Sequence, residues 1–385
     1  MKTLNNLKLV LLTAVFLMMA GYAYSYPPDN AAVLYYKAAS SYQPQEQMQN
    51  MLINLIGGKI EPNETIREFV KTNHLVIDML IDASQVKNCD WGLDFSQGLE
   101  MEMPQMASMR KLSYLVLADA KILAKDGNYD AAIGRCTSIY KMARHVNDRV
   151  LISYLVAVSI NSQTNECLTQ IMSDMPLNVE SLNNLKRQLT EIDSIPFSVK
   201  PAILAERECM LTNMTAEQLP KIVNLCEEVD KSIKEKILSL DEAALNRNRA
   251  YFENYYAGVI AAFDMLYLKG DTALKNLNEK LQGDIKYNNP DAILTGVLGP
   301  ALNKIYSITT RFKTHNNAIR TAVEVYIIKA KTGKLPDVLP DGLPGDLFSD
   351  KPFAYEKTAE GFVLRCQGKD LSKNEIYEYK FKVKK

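Results

Sequence analysis

The sequence predicts a mainly α fold: a helical bundle or short TPR-like solenoid, then a long helix and a small three-stranded antiparallel β-meander. Three observations predict it. Apolar residues recur at helical spacing through most of the 385 residues. Glycine (17) and proline (15) are sparse and fall mostly between those periodic stretches, where connectors belong. Near the C-terminus the period changes from that of a helix to strict alternation. The hydrophobic content of 47% is enough for a substantial core. Lys+Arg and Asp+Glu are equal at 45 each, so no basic excess argues for a nucleic-acid partner and no acidic excess for a disordered chain.

Residues 1–25 read as a signal peptide. Lys2 and Lys8 precede an apolar run from Leu9 to Ala20, and Ala23 and Ser25 are spaced as a cleavage site. The run is shorter than the roughly 20 residues of a spanning helix. The expected product is exported, periplasmic or extracellular, cleaved near Ser25, and keeps no stable membrane span. Six cysteines follow: Cys89, Cys136, Cys167, Cys209, Cys226 and Cys366. None forms a CxxC pair, and their spacing suits small buried residues as well as bridges.

The helical body spans 27–299. Asp29-Asn30 caps a first helix over 31–39. Pro44 begins a second, which stops at Gly57-Gly58. Pro62 opens a third, running to about Ala83 through Ile66, Phe69, Val70 and Ile77. Val86–Pro104 breaks the rhythm; it holds the only tryptophan, and an ordered loop pinned by Trp91 and Phe95 is expected. Met106–Lys125 and Tyr129–Val146 form a helical hairpin around Asp126-Gly127-Asn128. Ala120, Gly127, Tyr129 and Ala132 stand where a tetratricopeptide repeat wants small or aromatic residues, but no second copy follows at that period. Further helices are expected over 149–175, 179–195, 197–212 and 215–238. Asp241–Leu268 carries an aromatic stripe (Tyr251, Phe252, Tyr255, Tyr256, Phe263, Tyr267) whose spacing reads as core. Gly270-Asp271 and 282–290 read as connectors, followed by a short apolar segment over 292–298.

The closing region spans 300–385. Pro300 starts a helix that continues to about Lys331. It exits through Gly333 into Pro336, which cannot continue it. Alternating segments follow at 353–357, 361–367 and 375–383, with a turn at Gly361. Ala322 and Tyr326, Gly333-Lys334-Leu335-Pro336, Asp346, Pro352-Phe353-Ala354-Tyr355 and Gly368-Lys369-Asp370 together resemble the C-terminal module of major pseudopilins. The resemblance covers about 70 residues and implies this helix-and-meander fold. Pseudopilins of this kind can hold calcium near the last turn, where Asp370, Asn374 and Glu375 offer oxygens; a plain loop is the expectation adopted. The chain lacks the hydrophobic N-terminal helix of pseudopilins, so filament assembly is not implied. As a whole it resembles a family of exported bacterial helical proteins with the same ending, which implies export and architecture but no activity.

The motifs of common chemistries are missing. There is no HExxH, GxSxG, GxxxxGK[ST] or strand-borne GxGxxG. His74, His145 and His315 lie in separate segments; His74 with Asp78, four apart, suits a hydrogen-bonded pair as well as two metal ligands, and with no second ligand pair nearby no metal site is expected there. Glu206 and Glu208 flank Arg207 and diverge on a helix, so an interhelical Arg–Glu bridge is expected there. No catalytic, cofactor-binding or metal residues are designated and no cofactor is implied. The leading expectation is a non-enzymatic exported protein that binds a protein or envelope partner through its helical body. The alternative is an exported hydrolase with a site assembled from scattered helices around Asp90, Trp91, Asp94 and Glu206.

Overall fold

The computed structural model describes residues 29–95, 97, 101–225, 229–299 and 302–384; the expected signal peptide over 1–25, Pro300 and Cys226 lie outside them. Among the described residues, fifteen α-helices precede three strands, as a mainly α fold with a small meander requires. The first four helices are α1 (Ala31–Ser41), α2 (Glu46–Ile56), α3 (Glu64–Thr72) and α4 (His74–Gln85). Asn30 caps α1 through the Ala32 amide at 3.0 Å. The single helix expected to reach Ala83 is broken at Asn73, whose side-chain amide donates back to the Phe69 carbonyl at 2.9 Å. His74 does not pair with Asp78; its ring nitrogen meets the Lys71 carbonyl at 3.0 Å.

Next come α5 (Pro104–Lys125), α6 (Tyr129–Val146), α7 (Leu151–Asp174) and α8 (Val179–Asp193). The α5–α6 hairpin packs as its small residues predict, with Ala120 and Ala132 fully buried. Cys136 on α6 and Cys167 on α7 are buried with sulfurs 3.9 Å apart, and the five described cysteines are free thiols.

Then follow α9 (Lys200–Asn213), α10 (Leu219–Leu225), α11 (Lys231–Leu238), α12 (Glu242–Phe263), α13 (Tyr267–Lys286) and α14 (Ile293–Leu298). The aromatic stripe is core: Phe252, Tyr255, Tyr256 and Tyr267 are buried. Gly270-Asp271 is not a connector but lies inside α13. A Cβ at Gly270 would stand 2.3 Å from the Tyr306 hydroxyl oxygen, so glycine is what lets the next long helix approach.

That helix is α15 (Leu302–Thr332), about 46 Å long at 1.5 Å per residue. It packs against α7, α8 and α13 and also touches the sheet, so it joins both halves of the body to the C-terminal module. Gly333 ends it at φ 74°, donating its amide to Lys329 at 2.9 Å. The strands β1 (Ala354–Lys357), β2 (Gly361–Arg365) and β3 (Glu378–Lys382) form an antiparallel meander in the order β1-β2-β3. Phe362 and Phe381 face each other across β2 and β3, with rings 5.1 Å apart, and Tyr326 of α15 packs on both. The sheet is therefore half of a core whose other half is the helix.

Two buried aspartates organise the loops of this module. Asp346 accepts from the amides of Phe348, Gln367 and Gly368 and from the Ser349 hydroxyl, at 2.6–2.8 Å. Asp370 accepts from Arg311 Nη2 at 2.6 Å, the Ser372 hydroxyl at 2.6 Å and the Tyr377 hydroxyl at 3.2 Å. Tyr267 of α13 adds a contact at 3.4 Å. Burial raises the Asp370 carboxyl, but Ser372 and Arg311 outweigh that and hold it below the ordinary carboxylate value. The loop suggested by the calcium resemblance is thus closed by the protein's own donors, and Asp370 is a clasp between the body and the module.

Candidate functional site

The candidate site is a cleft of about 850 Å³ where three segments of the helical body meet. Its first wall comes from the irregular stretch before α5. Asn30 fixes this stretch, accepting from the Asp90 amide at 2.8 Å and donating to the Asp90 carbonyl at 2.7 Å. Trp91 stacks on Tyr35 at 5.6 Å and donates its indole N–H to the His145 carbonyl at 2.7 Å. Anchored there, the chain carries Phe95 to the cleft edge, where it remains 40% exposed. Met101 and Met103 continue the same wall.

The second wall is the connector into α7. Ser153 holds it, donating to the Val150 carbonyl at 2.7 Å and accepting from the Asp148 amide at 3.1 Å. That turn sets the Arg149 guanidinium over the Phe95 ring, 4.8 Å from its centroid. Leu151 and Ile152 follow, and Ile152 is 47% exposed.

The third wall is α9. Only Ala202 and Ile203 of this helix are buried. Glu206, Glu208, Cys209, Met210 and Asn213 line the cleft instead. Beyond them, Thr215 and Gln218 add a hydroxyl and an amide. The result is a trough lined by methionine, leucine, isoleucine and phenylalanine together with polar groups and two carboxylates.

Glu206 is the unusual group. Its Oε2 is buried and makes no hydrogen bond. Among the described residues it belongs to no ion pair, so the expected Arg–Glu bridge does not form; the neighbouring Arg207 Nε is likewise buried without a partner. On the adjacent α12, the fully buried Tyr256 has a hydroxyl with no partner either. With nothing to compensate it, burial alone raises the Glu206 carboxyl to about 7. Burial and then the Glu206 charge raise the Tyr256 phenol. Burial and then Glu206 also raise the Cys209 thiol, which makes its thiolate scarce and its sulfur a poor nucleophile.

Of the scattered residues expected to build a hydrolase site, Glu206 is in the cleft and the others are not. Asp90 accepts from the Gly92 amide at 2.9 Å as a turn residue. Asp94 accepts from Gln97 at 3.2 Å. Trp91 is a buried pin, and Phe95 rather than Trp91 reaches the cleft. No histidine lines it: His145 meets Tyr35 at 3.0 Å and His315 stacks on Tyr379 at 4.8 Å. Met101, Met103 and Met210 could not be chosen from a sequence holding 16 methionines. The one available signal was α9 itself, whose carboxylates interrupt an otherwise apolar helix.

Among the described residues, no helix is long and apolar enough to cross a membrane, and no group of three or more His, Cys, Asp or Glu side chains is placed to hold a metal ion. Comparison with family models, with curated proteins and with solved structures finds no match for this chain.

Proposed function

We propose that this chain is an exported, non-enzymatic binding protein whose helical body receives a partner in the cleft between Phe95, Ile152 and α9. The observation that carries this reading is the character of the trough. It combines exposed apolar side chains, flexible methionines that repack around different shapes, and one carboxyl left without a partner. An acid–base or nucleophilic mechanism needs a second group positioned against the first. Here the neighbour of Glu206 is a thiol whose ionisation is suppressed.

Export and the pseudopilin-like ending belong to the same proposal. The charged, apolar and small-residue succession of residues 1–25 supports export. The helix, the Gly333 exit and the meander support a kinship of architecture with the pseudopilin module. In this chain the module's patterned residues are occupied in packing, so the body is where binding is placed.

Titration with an environment-sensitive apolar dye such as N-phenyl-1-naphthylamine tests the reading. The intact protein should enhance the dye's fluorescence, and Met210→Asp and Ile152→Asp should each weaken binding about tenfold while circular dichroism stays unchanged. Equal binding by all three proteins would remove the cleft from the account. Fusion of residues 1–40 to a reporter active only after export tests localisation.

A further inference from the structure

We propose that the occupant of this cleft is an extended peptide segment of a partner protein, with apolar residues flanking a lysine whose ammonium pairs with Glu206. The inference rests on the binding-protein reading and adds the chemistry of the ligand.

Four features argue for it. First, Glu206 lines the cleft, its inner oxygen has no hydrogen bond, and among the described residues it belongs to no ion pair, so its charge is compensated only by a cation delivered from outside. Among the described residues, no cation is placed to compensate it. Arg207 follows Glu206 in the same helix and diverges from it, with its own Nε unpaired. Arg149 lies over Phe95 with Asp148 4.0 Å away. Second, the cleft that holds Glu206 is lined largely by apolar side chains, Met101, Val150, Leu151 and Met210 among them. A lysine carries its charge on a flexible hydrocarbon stem that can cross Met101 and Met210, whereas a guanidinium spreads polar N–H groups over a wide plane. Third, Asn213, Thr215 and Gln218 line the trough beside its apolar side chains. Hydroxyl and amide groups there suit the N–H and C=O groups of an extended chain, which a hydrocarbon tail lacks. Fourth, about 850 Å³ falls in the range of a pocket that encloses a short segment rather than a whole domain face.

The test is fluorescence anisotropy with labelled, end-capped hexapeptides of leucine and alanine bearing one central lysine, norleucine or glutamate. The lysine peptide should bind roughly tenfold more tightly than the norleucine peptide at about pH 8, the gain of one close charge pair, and the glutamate peptide should bind weakest. The preference should depend on pH. Glu206 stands at about 7. It is therefore about one-tenth ionised near pH 6 and nine-tenths near pH 8, so the lysine advantage should grow up to roughly ninefold between them. The titratable groups that feel the Glu206 charge are Cys209 on α9 and Tyr256 on α12, while Glu208 and Arg149 line the same cleft without shifting Glu206. Of these, Cys209 and Tyr256 are both raised away from that interval. Glu206→Gln should abolish both the lysine preference and its pH dependence while leaving dye binding intact.

Equal affinity for the three peptides, with the dye still bound, would overturn the inference and leave the cleft reading standing. Unchanged lysine preference in Glu206→Gln would overturn it too, because the charge would then be read elsewhere. Tighter binding of decylammonium than of the lysine peptide would overturn the peptide in favour of a lipid-like amphiphile. Binding of neither dye nor peptide would remove both readings.

Discussion

The molecule contains buried carboxylates of two opposite kinds. In the C-terminal module, Asp346 and Asp370 are fully buried and surrounded by donors. On α9, Glu206 is half-buried, and its inner oxygen is enclosed without a donor. A folded chain stabilises a buried carboxylate only by satisfying it. The aspartates have that compensation and hold loops in place. Glu206 lacks it, and its cost is carried by the rest of the fold, which is the pattern of a group kept for an external partner.

The largest break in this comparison should come from Asp346→Ala. It strands the amides of Phe348, Gln367 and Gly368 inside the module, at a cost of about 4 kcal/mol. Thermal unfolding followed by circular dichroism should show the loss, and a shift equal to that of an exposed control such as Asp341→Ala would refute the keystone role. Arg311→Met should follow at about 3 kcal/mol, because it leaves Asp370 buried with its charge unpaired. The sign of the pH effect is set by the depressed Asp370 carboxyl. Its contribution is present above the unfolded value near 4 and is lost as pH falls through the folded value, so the gap between Arg311→Met and the parent should shrink in acid.

The histidines sharpen the same contrast from the basic side. Burial lowers both His145 and His315 from 6.5 to about 4. The unfolded chain then binds protons the folded chain refuses, so stability is full above about pH 6.5 and declines toward pH 4. Each ring should contribute on the order of 2 kcal/mol to that decline. Urea titrations at pH 7 and pH 4.5 measure it, and a His315→Phe variant with an unaltered pH profile would contradict it. An effect of similar size and reversed sign is expected at Glu206. Its carboxyl is raised, so its best contribution lies below the unfolded value of 4.5 and is lost as pH rises through about 7. Glu206→Gln should leave stability unchanged near pH 4.5 and raise it by about 2 kcal/mol near pH 8. A destabilised Glu206→Gln at pH 8 would mean that the carboxylate is satisfied after all.

Most helices were legible because each has an apolar face with helical period and a stop: Gly57 after α2, Gly333 after α15. The misses have local physical causes. Asn73 interrupts α3 and α4 because its side chain competes for the Phe69 carbonyl. Gly270 looks like a connector but is a contact point, since glycine's small size and its flexibility leave the same mark in a sequence. Within the cleft, Glu206 was legible as a carboxylate out of place, but not its isolation. The bridge expected for it depended on where a cation from another helix would fall.

By itself the sequence determined the mainly α class, the helix exit at Gly333, the alternation of Phe362, Leu364 and Phe381, and the core role of the aromatic stripe, because periodicity and backbone preference act between near neighbours. Only the tertiary structure decided which charges meet. Arg311 and Asp370 are 59 residues apart and clasp the long helix to the loops of the meander. Phe95, Ile152 and Glu206 come together only because separate turns, at Trp91 and at Ser153, deliver them to one face of α9. Burial and the convergence of distant side chains are properties of the packed chain, and the unpartnered carboxyl that defines the cleft is a product of both.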